Sequence, residues 1–173
     1  MSSTLYDISV ASFVQGLAGV TEVMRLGHEF YEANGKSPNE IVASRLRDDM
    51  LPFHFQAQAV THQSLGAIEG VRQGQFGPPP RIEPLDYAGL QNLVAETLDG
   101  LRTVDADELN SYAGKPVIFR MGELEMPFTA ENFILSFALP NFHFHAATLY
   151  DMLRIEGVSL SKKHFLGKMR LGL

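Results

Sequence analysis

Asn141 and His145 stand four residues apart in the run PNFHFHAATLY, so on a helix they project an amide and an imidazole from one face, one turn apart. Imidazole can serve as base, acid or metal ligand near neutral pH, and a neighbouring amide can orient it or a bound water. The spacing places both in the middle of a wide apolar arc, where a polar group without a hydrogen-bond partner costs a few kcal/mol. Each is therefore expected to be buried and paired. Two readings stay open: His145 as ligand or catalytic base, and His145 as a core histidine bonded to Asn141 or to a glutamine of another helix. The second set of candidates lies in RLRDDMLPFHFQAQ. On a helical wheel His54 and Gln58 fall at one margin of that segment's apolar face, Gln56 at the other, and His62 outside it.

The remaining histidines carry less. His143 and His145 diverge by about 200° on a helix and cannot share an ion. His143 points to a polar stripe and His62 lies off the core face, so both read as surface residues. His28 and His164 have no partner in sequence, and Tyr150 leaves the buried face. Cysteine is absent, which removes disulfides, thiolate ligands and a cysteine nucleophile. There is no G-x-S-x-G elbow and no H-E-x-x-H helix, and Gln73-Gly74-Gln75-Phe76-Gly77 leads into proline rather than a phosphate-binding helix.

Four long helical patterns must position these groups. Thr4 and Asp7 make a capping-box start, and Tyr6, Val10, Phe13, Leu17, Val20, Met24 and Tyr31 form the stripe of a first helix that Asn34-Gly35 ends. Ser37-Pro38-Asn39-Glu40 restarts a short helix. Pro52 breaks it, and a turn near Asp48 and Asp49 opens a second long helix to about Gln73, with core face Met50, Phe53, Ala57, Val60, Ala67, Ile68 and Val71. The stretch from Gly74 to Pro84 is an extended connector. Asp86 caps a third helix with Leu90, Leu93, Val94, Leu98 and Leu101 on its apolar face, and a short turn follows at Asp105. Val117 to Phe128 alternate as a small β-hairpin around Met121-Gly122-Glu123. The fourth helix is read as continuous from Thr129 to Gly157. It leaves only Ser136, His143, Ala147, Asp151 and Arg154 on a polar stripe, with Leu135, Phe144 and Ile155 among those facing protein. An arc that wide asks for a central helix or cover from a second subunit, and so for a homodimer.

A chain of 173 residues with a net charge of −6 reads as one domain, residues 1–173, that binds neither nucleic acid nor anionic membrane. Neither a secretory start nor an uncharged membrane span is present, which makes the cytoplasm the expected compartment. The basic tail of Lys162, Lys163, Lys168 and Arg170 is expected to be solvated or to dock on a subunit, with no element of its own. A partner protein held by that tail is a further possibility for a regulatory module.

The segments RLRDDMLPFHFQAQ and PNFHFHAATLYDMLRIEGVSLSKKHFLG resemble an uncharacterised branch of the DinB/YfiT-like superfamily of metalloenzymes. Its fourth-helix motif F-A-L-P-N-F-x-F-H stands here as residues 137–145. The resemblance covers nearly the whole chain. It implies an all-α fold, a DinB-like four-helix bundle with a small β-hairpin between the third and fourth helices. It also implies a divalent metal, zinc or nickel, held by a second-helix histidine and an H-x-x-x-H pair on the fourth helix, often followed by an arginine. With Arg154 as that arginine, His145 takes the second position of the pair and Asn141 the first, and His54 is the natural second-helix ligand ahead of Gln56 or Gln58. An amide oxygen is a weaker ligand than imidazole for these metals, so at most two of three expected imidazoles are present. The function implied is a metal or small-ligand pocket of His145, Asn141, His54, Gln58 and Gln56, doing metal-assisted hydrolysis or activating a small thiol for transfer. The alternative is a non-catalytic homodimer whose polar cluster only fixes packing.

Overall fold

The computed structural model describes residues 3–171; the single-domain expectation extends to four terminal residues outside that range. The Thr4–Asp7 capping box forms as expected and starts α1, Leu5–Ile8. The first helix is nonetheless not continuous. Ser9 leaves helical geometry at φ −110°, its hydroxyl donates back to the Leu5 carbonyl, and α2, Val10–Ala33, begins after it. Competition of a serine hydroxyl for the preceding carbonyl is a known source of such breaks. Gly35, at φ +66°, closes the stop after α2.

The Ser37–Glu40 box opens a single 3-10 turn, Pro38–Ile41. The second long helix starts later than the sequence suggested, at Phe53 in α3, Phe53–Thr61, with Pro52 as N-cap and Met50 half-buried ahead of it. Proline has no side-chain acceptor for the exposed first amides. The chain supplies backbone instead: Phe53 N–H donates to the Ser44 carbonyl and His54 N–H to that of Val42. A π turn, His62–Gly66, then widens the segment before α4, Ala67–Gln73. Ser64 donates to the carbonyls of Val60 and Thr61 within that widening.

The connector is not wholly irregular. Its first residues make β1, Gln75–Phe76, pairing parallel with β2, Pro116–Met121, which pairs antiparallel with β3, Leu124–Thr129. The expected hairpin thus belongs to a three-stranded sheet. Between connector and hairpin lie α5, Tyr87–Arg102, capped by Asp86, and α6, Ala106–Asn110, capped by Asp105.

Thr129 caps α7, Ala130–Phe133, as read, but a second π turn, Ile134–Ala138, interrupts the fourth helix before α8, Leu139–Ile155. Pro140 sits just inside α8 and has no N–H to give to the preceding turn, which accounts for the widening there. The extra residue rotates the wheel. Leu135, Phe144 and Ile155, expected to face protein, are 51%, 59% and 73% exposed, while Phe142, Ala146, Leu149 and Leu153 hold the core. The buried arc is therefore narrower than the sequence implied.

α2 packs on α5, α5 on α3, α3 on α8, and α8 back on α2. The sheet closes one end through Phe76, Phe119, Phe128, Phe133 and Phe137, whose rings meet edge-on, tilted or stacked. The tail does make an element, α9, Lys162–Leu166, seated on α2. A Cβ on Gly19 would lie 2.3 Å from the Phe165 carbonyl oxygen, so only glycine allows that approach. Among the described residues no helix is long and apolar enough to cross a membrane.

Candidate functional site

The structure brings His145 together with Gln56, across the seam where α3 meets α8. His145 Nδ1 lies 2.7 Å from Gln56 Oε1. Gln56 is 2% exposed, and its Nε2 donates to the Leu51 carbonyl at 2.8 Å, which fixes the amide's orientation. An amide oxygen only accepts, so the network assigns the proton to Nδ1 and leaves the lone pair on Nε2. The ring sits edge-on to Phe55 and Phe144, at 5.8 and 5.2 Å. Burial pulls the His145 pKa below the ordinary histidine value, so the neutral form holds at neutral pH.

The other expected members lie differently. Asn141 and His145 do share a face, but both are half-buried rather than enclosed. Asn141 finds its partner within its own helix, donating from Nδ2 to the Phe137 carbonyl at 2.7 Å. His54 is two residues from Gln56, and on α3 those side chains diverge by about 200°. It is half-buried, its pKa lowered by burial and then by the charge of Arg45. Gln58, also on the far side from Gln56, donates to the Pro80 carbonyl beneath the connector. The five-residue pocket therefore resolves into one bonded pair, a nearby amide, and two residues on other faces.

His62, read as a surface residue, is half-buried. Its Nε2–H donates to the Gly77 carbonyl at 2.8 Å and its ring stacks on Phe76. The π turn and the fold-back of β1 put it there, and neither is visible in a wheel drawn at constant pitch. His143 is exposed beside the tail at a cleft that Phe142, Phe165 and Arg170 also line. His164 closes the first turn of α9 by accepting from Ser161 N–H, and His28 stands 3.6 Å from Glu32.

A zinc or nickel ion at the seam would meet one imidazole and two neutral amides. Gln56 Oε1 already accepts from His145, and amide oxygens are weak donors to these metals. Among the described residues no group of three or more His, Cys, Asp or Glu side chains is placed to hold an ion. The donor set fits zinc or nickel poorly; it suits a neutral proton acceptor.

A family model described as "Domain of unknown function (DUF1993)" matches residues 5–166. No curated protein matches the chain. The crystal structure of a DinB family member protein from Shewanella denitrificans is similar over 98% of this chain and 95% of that one, with a TM-score of 0.78 and 22% identity. That similarity is one of fold: mostly helical, with a small sheet, and DinB-like.

Proposed function

The chain belongs to the DUF1993 family, and from that premise we propose that it is a DinB-like single domain, a four-helix bundle, that binds a small polar ligand at the α3–α8 seam. The observation that carries this reading is the His145–Gln56 bond. It leaves an unprotonated Nε2 on a neutral, half-buried imidazole, the form that accepts a proton or a ligand hydrogen bond. If the protein is an enzyme, His145 is the general base: Nε2 takes the proton of a water or a small thiol, leaving hydroxide-like oxygen or thiolate to attack. Gln56 positions the ring and stabilises the imidazolium through Nδ1–H. Asn141, one turn away, is placed to orient the ligand. Hydrolysis and thiol transfer both fit this step. A cytoplasmic location belongs to the same reading.

A second reading has its own support. Leu51, whose carbonyl holds Gln56, is 49% exposed, and Phe144, beside His145, is 59% exposed. Apolar side chains of that size around a polar pair suit a homodimer in which the cluster only fixes packing.

The test is a panel of small thiols, amides and hydroxy compounds added to untagged protein and followed through the imidazole nitrogen signals of His145, with His145→Ala as control. The proposal expects a compound that moves Nε2 saturably and whose binding, followed on the compound's own signals, is lost in the variant. Tight zinc or nickel uptake lost on His145→Ala would instead reinstate the metal. A stable dimer with no response at Nε2 would favour the structural reading.

A further inference from the structure

The π turn after α3 builds a second site, independent of His145. His62 holds its proton on Nε2, donated to the Gly77 carbonyl, so its lone pair is on Nδ1, which has no hydrogen-bond partner among the described residues. Gly66 stands one widened turn further along, and a Cβ there would come within 3.1 Å of Nδ1. The glycine thus keeps open the space next to the lone pair. Glu69 follows on the same face, with one carboxylate oxygen bound by Arg72. His62, Gly66 and Glu69 together line two adjoining clefts of about 330 and 320 Å3, within the usual range for small-ligand sites.

The two clefts differ in chemistry. The second is walled by Leu65, Pro80, Ile82 and Leu93, and apart from His62 and Glu69 on the shared crest its polar residues donate within the fold. Gln58 donates to Pro80, Thr61 to the Gln58 carbonyl and Thr97 to the Leu93 carbonyl. Away from the crest, that trough suits an apolar group. The first cleft is polar: its charged lining residues are Glu69 and Arg120, and Arg120 is paired with Glu125 and hydrogen-bonded to Gln75, which turns it away from Glu69's free oxygen. Two acceptors side by side, the Nδ1 lone pair and a Glu69 carboxylate oxygen, with no donor between them among the described residues, favour a cation that donates hydrogen bonds.

We propose that this crest binds a primary ammonium ion bearing an apolar arm. The ammonium sits over Gly66, donating to His62 Nδ1 and to the Glu69 carboxylate, and the arm lies in the trough of Leu65, Pro80, Ile82 and Leu93. Phenethylammonium titrated into the full chain tests it, read by long-range 15N–1H NMR of the histidine imidazoles. The expected result is a saturable shift at His62 with His145 unmoved, and no such shift with phenylpropionate, which has the same arm on a carboxylate. Gly66→Ala fills the space over the lone pair, and Glu69→Gln removes the countercharge from a solvent-facing side chain without disturbing the turn. Each should weaken binding about tenfold or more. Absence of saturation at about 10 mM, equal binding of the carboxylate, or Glu69→Gln binding as tightly as the parent would overturn the proposal.

Discussion

His145 and His62 are each half-buried, each neutral, and each on a long segment interrupted by a π turn, yet they offer opposite nitrogens. At the α3–α8 seam a buried glutamine holds the proton on Nδ1 and frees Nε2. At the crest the Gly77 carbonyl holds it on Nε2 and frees Nδ1. The second bond partner, not the histidine, decides which nitrogen is available. One partner is a side chain that a substitution can remove; the other is backbone fixed by the parallel pairing of β1 with β2.

That contrast can be broken from the crest side first. Phe76→Ala removes the ring on which His62 stacks and an edge contact to Phe133, leaving a cavity between sheet and helix. A loss of about 3 kcal/mol or more is expected in denaturant unfolding, with the His145 tautomer unchanged. Loss of the Nδ1 proton signal of His145 in that variant would mean that the two regions are coupled.

Gln56→Leu acts on the seam. It leaves Nδ1–H and the Leu51 carbonyl without partners, so a cost of about 1–3 kcal/mol is expected, with His62 unaffected. A variant as stable as the parent and with His145 still held as Nδ1–H would show that something else orients the ring.

Acid should weaken both regions. Burial sets the folded-state pKa of His145 and His62 below the unfolded value of about 6.5. The unfolded chain then binds more protons, so stability declines as pH falls from about 6.5 toward the folded values. His54 and His143 shift the same way. Urea midpoints across that range should fall less steeply in His145→Gln than in the parent. The smallest effect sharpens the choice between ligand site and dimer: Phe144→Ser should change monomer stability by no more than about 0.5 kcal/mol. A homodimer covering that ring would dissociate more readily, as sedimentation would detect.

Local signals carried much of this fold to the surface of the sequence. The Thr4–Asp7 and Ser37–Glu40 boxes, the Asp86 cap, the short turn at Asp105, the hairpin and the glycine stops each depend on residues within a few positions, and each forms. The π turns do not announce themselves, because a wheel of constant pitch assigns Leu135 inward and His62 outward. The site was half legible. His145 and its need for a partner followed from type and spacing, but ligand chemistry favoured His54, whereas the register of α3 against α8 presents Gln56. Register between distant segments is set by tertiary packing, here of α3 against α8, which no local pattern encodes.

The account rests on the tautomer of His145, and long-range 15N–1H NMR of the imidazoles at neutral pH reads it directly. The structure requires a neutral ring with the proton on Nδ1 and an unprotonated Nε2, reverting to an ordinary mixture in Gln56→Leu. A ring protonated on Nε2, or charged at neutral pH, would contradict it.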